Sequence, residues 1–158
     1  MIRSTAKGIL FDGQRVLLNL CEDPFNGQYY TLPGGGQLED ESLSAALERE
    51  MLEETGYSVE TEQLLAVCEV QCLDAWFNRQ YPEYTHKLYH IFLCRPKARA
   101  RQTPSETDRM QLISEWLPLE QADHIRLKPD CLQGAVSRLL NGTLSGYLGL
   151  QQIPYNHA

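Results

Sequence analysis

The sequence lacks long apolar segments. No uninterrupted apolar run reaches the roughly 18 residues that a membrane-spanning helix needs. The N-terminal apolar stretch is interrupted by Asp12 and Gly13 and lacks a small-residue cleavage site, so it does not resemble a signal peptide. We therefore expect a cytoplasmic protein that does not bind membranes.

Positively charged residues are also scarce. The chain has 14 Lys and Arg against 21 Asp and Glu, which gives a net charge of -7. Proteins that bind nucleic acid polymers present a broad basic surface, and this composition argues against one. If the substrate is itself an anion, a divalent cation is the obvious means of screening the acidic side chains.

Paired cysteines with zinc-binding spacing are missing as well. The 5 cysteines form no C-x-x-C pair and lie in mostly apolar surroundings, so we interpret them as reduced structural thiols. The sequence shows no internal repeat or low-complexity tract. A length of 158 residues then predicts one domain over residues 1–158.

The apolar pattern predicts alternating strands and helices. Two apolar runs, residues 6–11 and 16–20, flank Asp12-Gly13 and predict an N-terminal hairpin. Apolar residues every four positions predict a helix over residues 42–55, with Gly56 as its left-handed cap. Further strands are predicted at residues 29–32, 63–73, 85–94 and 111–117, and a second helix follows Pro129. This order predicts an α/β fold with a mixed β-sheet between helices.

Three glutamates share one face of the first predicted helix. Glu50, Glu53 and Glu54 stand at positions i, i+3 and i+4, so their carboxylates project within about one turn. Such a cluster is either solvated or neutralised by cations, and its hard oxygen donors suit Mg²⁺, with Mn²⁺ as an alternative. Arg49 lies where its guanidinium fork could orient neighbouring carboxylates. Before the helix, Gly34 to Gly36 let the backbone approach a metal or phosphate.

The spacing of these residues resembles the signature of the Nudix hydrolase family. That signature is G-x5-E-x7-R-E-U-x-E-E-x-G-U, where U is a bulky apolar residue, and here it runs from Gly35 through Glu41 to Tyr57. All fixed positions match, and only the last position departs, because Tyr57 replaces an aliphatic residue. The resemblance implies a Nudix-type α/β/α sandwich.

The resemblance also implies roles for individual residues. It implies metal contact by Glu50, Glu53, Glu54 and the carbonyl of Gly34, with Glu41 and Arg49 supporting them in catalysis. The implied reaction is attack of water on a diphosphate linkage in a nucleoside diphosphate derivative or nucleoside triphosphate, and the implied cofactor is Mg²⁺. The alternative is an inactive domain that only binds a nucleotide or regulates a partner.

The general base is left open by the sequence. Within the family it is sometimes a glutamate of the signature and sometimes an acid elsewhere, so Glu50 or Glu53 competes with Glu106 and Asp108. We favour the signature glutamates.

An aromatic segment is the candidate for binding the substrate. Trp76, Phe77 and Tyr81, followed by Tyr84, could form a platform on which a base stacks, or could equally serve the core or a homodimer contact. In the family, residues downstream of the signature often indicate a preference for ADP-ribose, dinucleoside polyphosphates or NADH, and none of these residues is evident here. The substrate therefore stays open among nucleoside triphosphates, nucleotide sugars, ADP-ribose and dinucleoside polyphosphates, and a homodimer is only a family-based expectation.

Overall fold

The chain folds into two β-sheets with a few helices. The computed structural model describes residues 1–97, 101–107 and 110–154. The strands are β1 (Arg3–Leu10), β2 (Arg15–Asp23), β3 (Gly27–Thr31), β4 (Gly34–Gly36), β5 (Val59–Cys72), β6 (His86–Pro96), β7 (Gln111–Pro118), β8 (Leu127–Lys128) and β9 (Gly146–Ile153). The α-helices are α1 (Leu43–Thr55), α2 (Ala75–Gln80), α3 (Leu119–Ala122) and α4 (Val136–Leu140). Short 3₁₀ turns follow α2 and precede α4, at Pro82–Tyr84 and Asp130–Leu132.

Both sheets mix parallel and antiparallel strands. The larger sheet has the order β4-β1-β6-β5-β9, in which β1 is parallel to β6 and antiparallel to β4. The smaller sheet has the order β7-β2-β3-β8. The predicted α/β class with mixed strands is confirmed, although the strands form two sheets and not one.

Apolar side chains cover both faces of strand β1, the second strand from one edge of the larger sheet. Its Ala6 and Leu10 pack in one buried cluster with Leu47 and Met51 of α1. Its Ile9, which points the other way, belongs to a second cluster that also contains side chains of α4. This two-sided packing fixes α1 against the edge of the sheet at which β4 lies, which is where the functional residues gather.

Helix α1 begins and ends as its sequence predicts. The Ser42 hydroxyl accepts a hydrogen bond from the Ala45 amide at 3.0 Å and so caps the first turn. Gly56 adopts a φ of 78°, and its amide donates to the carbonyl of Leu52 at 3.0 Å. The signature residues are therefore held on a capped helix of 13 residues.

The predicted N-terminal hairpin is wrong. The chain does turn at Asp12, whose amide donates to the carbonyl of Arg15 at 3.1 Å, but only one isolated bridge joins Phe11 to Val16. Strand β1 then pairs with β6 along its whole length, while β2 pairs with β3 and β7 in the other sheet. The turn signal was local, and the longer pairings of each strand decided the topology.

The C-terminal part also differs from the predicted elements. The second helix is shorter than its apolar stripe suggested, because Gly134 adopts a φ of 68° between the 3₁₀ turn and α4. Strand β9 was not predicted, since Gly146 and Gly149 interrupt its alternation and both take positive φ. No helix among the described parts of the chain is long and apolar enough to cross a membrane.

Candidate active site

A cleft of about 550 Å³ opens where α1 meets β4, β1 and β6. One part of its lining is acidic, formed by Glu50, Glu53 and Glu54 of α1. Another part is cationic or polar, and it consists of side chains from the two strands and the turn beside them: Arg3, Thr5, Lys7, Lys87 and Tyr84. The glycines of β4 lie between these parts. The cleft therefore combines groups that attract cations with groups that attract anions.

Arg49 ties the acidic side chains together. Its guanidinium donates to Glu41 Oε1 at 2.8 Å and Oε2 at 3.2 Å, and to the Glu50 and Glu53 carboxylates at 2.9 and 3.3 Å. A further hydrogen bond reaches the carbonyl of Gly36 at 3.1 Å. Because one planar group contacts three carboxylates, their rotamers are fixed relative to β4.

Glu41 is linked to the cleft through Arg49 and does not itself line it. Hydrogen bonds from Arg49, and then from the amide of Leu38 at 2.8 Å, hold the pKa of the Glu41 carboxyl below its usual value. The same contact with Glu41 is the main cause of a raised pKa for Arg49. The pair therefore stays fully charged through the neutral pH range.

Glu54 is the most buried acid of the cluster. Its side chain is only 6% exposed, and its Oε2 accepts hydrogen bonds from Asn19 Nδ2 at 3.0 Å and from the Gly34 amide at 3.1 Å. A buried carboxylate needs such donors because burial disfavours its charged form. These two contacts join α1 to β2 and to β4.

The glycines of β4 leave room that a side chain would fill. A Cβ on Gly35 would stand 2.5 Å from the Glu50 carboxyl carbon, and one on Gly34 would stand 2.1 Å from the carbonyl oxygen of Ala6. Gly34 also has a φ of 135°, which side chains rarely allow. The Gly34 carbonyl faces this space and accepts a hydrogen bond from Lys7 Nζ at 3.1 Å.

The segment 101–107 brings another acid to the cleft. The Gln102 amide donates to the Gly56 carbonyl at 2.7 Å, and the Glu106 amide donates to the Glu53 carbonyl at 3.0 Å. Glu106 consequently lines the cleft beside the C-terminal half of α1. The other predicted alternative, Asp108, lies outside the described residues.

The donor set fits a hard divalent cation in its chemistry. Glu50, Glu53, Glu54 and the Gly34 carbonyl offer only oxygen atoms, which Mg²⁺ and Mn²⁺ prefer. Within the described residues, no three acidic, histidine or cysteine side chains converge on a common metal position. The Arg49 guanidinium contacts Glu50 and Glu53, and the Lys7 ammonium contacts the Gly34 carbonyl.

The predicted aromatic platform does not line this cleft. Trp76 and Phe77 lie on α2, and Tyr81 follows this helix; none of the three lines the cleft. Just before α2, the amide of Leu73 donates a hydrogen bond to the carbonyl of Ile153 in β9, the strand at the opposite edge of the sheet from β4. Phe77 and Tyr81 instead contact each other, with ring centroids 5.1 Å apart. Tyr84 alone, at the end of this segment beside β6, reaches the cleft.

Several cleft residues were missed by the sequence analysis. Arg3, Thr5 and Lys7 alternate along β1 and so share one face, and Lys87 pairs with Arg3 across the parallel strands. Their polar alternation was a usable signal, but the predicted hairpin assigned β1 to the wrong neighbour. Only the pairing with β6 and β4 brings these side chains to the acidic helix.

The fold agrees with the Nudix-type architecture that the sequence signature implied. The family model described as NUDIX domain matches residues 1–135, and the chain therefore belongs to the NUDIX family. No curated protein sequence matches the chain.

Solved structures share the fold at low sequence identity. A NUDIX hydrolase from Nitrosomonas europaea superposes with a TM-score of 0.68 at 17% identity, covering 92% of this chain and 93% of that one. An ADP-ribose pyrophosphatase from Streptococcus suis gives a TM-score of 0.59 at 20% identity, covering 94% and 98%. A MutT protein from Methanosarcina mazei Go1 gives 0.63 at 16% identity, covering 90% and 95%. These likenesses describe the fold of the chain.

Proposed function

We propose that the protein hydrolyses a diphosphate linkage in a nucleoside diphosphate derivative or a nucleoside triphosphate, with Mg²⁺ as cofactor. The observation that carries this proposal is the gathering of Glu50, Glu53, Glu54 and the Gly34 carbonyl along one cleft, with Arg49 fixing two of the acids. Structural neighbours named ADP-ribose pyrophosphatase and UDP-X diphosphatase support the choice of a nucleotide-like substrate.

Each group of the cleft has a role in this reaction. Glu50, Glu53, Glu54 and the Gly34 carbonyl would hold the cation, and Arg49 and Glu41 would keep the first two carboxylates oriented. A divalent cation bound there supplies positive charge that offsets the diphosphate and polarises water. Water adds to one phosphorus, the bridging P–O bond breaks, and the leaving oxygen departs with the second phosphate group.

The proton lost by the attacking water needs an acceptor in the cleft. We assign it to Glu53 or Glu50, because both carboxylates line the cleft and are held by Arg49. Glu106 is the competing acceptor, since it also lines the cleft. Glu106→Gln separates the two assignments, because it removes a base but none of the predicted metal ligands.

A substrate panel tests the reaction directly. Nucleoside triphosphates, nucleotide sugars, ADP-ribose and dinucleoside polyphosphates are incubated with the protein and Mg²⁺, and the products are identified by mass. Glu53→Gln and Glu54→Gln should each lower kcat/KM at least about 100-fold, because they remove charge from the cation site. A wild-type protein that cleaves none of these compounds would show that the alternative, an inactive nucleotide-binding or regulatory domain, is correct.

Glu48→Gln is the matched control for these variants. Glu48 lies on the same helix but pairs with Lys97 at 3.8 Å and does not line the cleft. It loses the same charge, so its kcat/KM should stay near the wild-type value. If Glu48→Gln were as inactive as Glu53→Gln, the loss would reflect net charge or folding and not the cleft.

A further inference from the structure

The C-terminal end of α1 receives hydrogen-bond donors from the segment 101–107. The last carbonyls of an α-helix lack partners within the helix and carry partial negative charge. The Arg101 guanidinium donates from Nε to the Thr55 carbonyl at 2.7 Å. The Glu106 amide donates to the Glu53 carbonyl at 3.0 Å. Two of the last carbonyls of α1 are therefore capped from outside the helix, one of them by a cation.

An aromatic ring provides a second contact for Arg101. The guanidinium carbon lies 5.6 Å from the centroid of the Tyr57 ring, which is within the range of a cation–π contact. Tyr57 occupies the last position of the signature, where an aliphatic residue is usual. An aliphatic side chain has no π-electrons to attract a cation. This departure from the signature therefore adds a contact that the usual residue would lack.

The Tyr57 ring is fixed by the smaller sheet. Its hydroxyl accepts a hydrogen bond from Trp116 Nε1 at 2.9 Å, and the two rings meet edge to face with centroids 5.7 Å apart. Trp116 lies on β7, which pairs with β2. The ring is thus a fixed point of attachment for the segment 101–107. We call Arg101, Tyr57 and Trp116 the Arg101 anchor.

The segment 101–107 is held mainly by polar contacts. Every residue of it except Pro104 is exposed, so burial of apolar surface contributes little to its position. Its backbone adds the hydrogen bond from the Glu106 amide and one from the Gln102 amide to the Gly56 carbonyl, at 2.7 Å. The contacts with the end of α1 therefore determine where this segment lies.

Glu106 is the residue that the segment brings to the cleft. Its side chain is part of the cleft lining, whereas Arg101, earlier in the same segment, does not line the cleft. A carboxylate is an acceptor of hydrogen bonds, so Glu106 is suited to orient a water molecule beside the signature glutamates. The Arg101 anchor then affects the reaction only through the position of Glu106.

We propose that Arg101 and Tyr57 are positioning residues, which hold the segment 101–107 on the end of α1 and thereby place Glu106 against the attacking water. The proposal rests on the hydrolase function proposed above and deepens it. It applies whether the proton of that water passes to Glu106 or to a signature glutamate, because the water must be oriented in both cases.

Steady-state kinetics on a substrate that the panel identifies is the first test. Arg101→Gln should lower kcat about 10-fold, because small displacements of a reacting group slow the chemical step. It should leave KM within about 2-fold, since Arg101 does not line the cleft. Arg101→Lys keeps a cation beside the ring and should be faster than Arg101→Gln. An unchanged kcat in Arg101→Gln, or a loss that appears in KM, would overturn the proposal.

Two variants of Tyr57 separate its ring from its hydroxyl. Tyr57→Phe and Tyr57→Leu both remove the hydrogen bond with Trp116, but only Tyr57→Leu removes the ring beside Arg101. The kcat of Tyr57→Leu should therefore lie about 2- to 5-fold below that of Tyr57→Phe, which is the weight of an exposed cation–π contact. Equal kcat values would show that the ring does not position the segment.

A double-mutant cycle shows whether Arg101 acts through Glu106. Glu106→Ala removes the acceptor and should lower kcat at least about 10-fold. In that background Arg101→Gln should cost less than about 2-fold more, because the group that it positions is already missing. If Arg101→Gln cost the same factor with and without Glu106, or if Glu106→Ala kept full activity, the positioning role would be wrong.

Arg15→Gln is the matched control for net charge. Arg15 lies on β2, its guanidinium carbon is 5.3 Å from the centroid of the Trp116 ring, and it pairs with Asp12 outside the cleft. The substitution removes the same charge and a cation–π contact but leaves the Arg101 anchor complete, so kcat should stay near the wild-type value. If Arg15→Gln were as slow as Arg101→Gln, net charge or the packing of Trp116 would explain the loss, and the proposal would fall.

Amide exchange reports on the segment without turnover and so distinguishes failure of the two proposals. Arg101→Gln should raise the exchange rates of the Gln102 and Glu106 amides about 10-fold, the weight of one hydrogen bond to a charged group, whereas Arg15→Gln should not. If the wild type cleaves no compound but these rates rise, the hydrolase function is wrong while the Arg101 anchor still holds the segment. If the enzyme is active and the rates are unchanged, the positioning role is wrong and the hydrolase function stands.

Discussion

At the scale of single residues, Gly35 separates the function of the cleft from the stability of the fold. The three atoms nearest to a Cβ there all belong to the Glu50 carboxylate, the closest at 2.5 Å, and this carboxylate is the far end of a flexible side chain. We predict that Gly35→Ala displaces this carboxylate, lowers kcat on the order of 100-fold because a shift of about 1 Å can do so, and changes the free energy of unfolding by less than about 1 kcal/mol. Activity assays and urea titrations measure both effects.

Gly34→Ala is the contrasting variant. Its Cβ would meet the backbone oxygen of Ala6 at 2.1 Å, and its φ of 135° disfavours any side chain. Backbone atoms cannot move aside cheaply, so this variant should lose at least about 1 to 3 kcal/mol of stability. If Gly35→Ala were destabilised to the same degree, the two neighbouring glycines would share a structural role, contrary to the geometry.

At the scale of elements, the end of α1 is coupled to the segment 101–107. A Cβ on Gly56 would stand 1.8 Å from the carbonyl oxygen of Gln102, whereas one on Gly142, which has nearly the same φ (79° against 78°), would meet nothing within 4 Å. Both alanine variants suffer the left-handed backbone penalty, on the order of 1 kcal/mol. We predict that Gly56→Ala is further destabilised and that amide exchange rises at Glu106, while Gly142→Ala shows the backbone penalty alone. If the two variants lowered the midpoint of thermal unfolding equally, the segment 101–107 would not depend on this contact.

The same scale explains which parts of the fold could be predicted. Helix α1 and its acids were predicted well because caps, apolar spacing and signature all act within a few residues of one another. The polar side chains of β1 that line the cleft were missed because their position depends on the pairing of β1 with β6, in which Arg3 lies beside Lys87, far away in sequence. The aromatic residues of α2 were assigned to the site because of their residue type alone. The hydrogen bond from the Leu73 amide to the Ile153 carbonyl instead places the start of that helix at the other edge of the sheet.

At the scale of the whole molecule, acidic side chains set the response of the fold to pH. The pKa of Glu41 is lowered by its hydrogen bonds with Arg49. Burial acts to raise the pKa of Asp23, but hydrogen bonds from Asn26 and the amide of Phe25 outweigh it and leave that pKa low. A carboxyl whose pKa is lowered in the folded state stabilises the fold at any pH above its ordinary pKa, which is near 4.5 for Glu and 3.8 for Asp. This stabilisation is lost as the pH falls through the lowered pKa of the folded state.

Net charge acts in the opposite direction over part of the range. Between pH 7 and the isoelectric point near 5.1, the excess of negative charge disappears and self-repulsion decreases. We therefore predict a free energy of unfolding that is level or slightly rising from pH 7 to about 5 and that falls steadily below about 4.5. Urea titrations across this range measure the profile.

In Glu41→Gln the neutral side chain cannot pair with Arg49, so this variant should be less stable than wild type at pH 7 and should approach it as the pH falls. A difference that stayed constant down to pH 3 would show that the Glu41–Arg49 ion pair does not contribute to acid sensitivity.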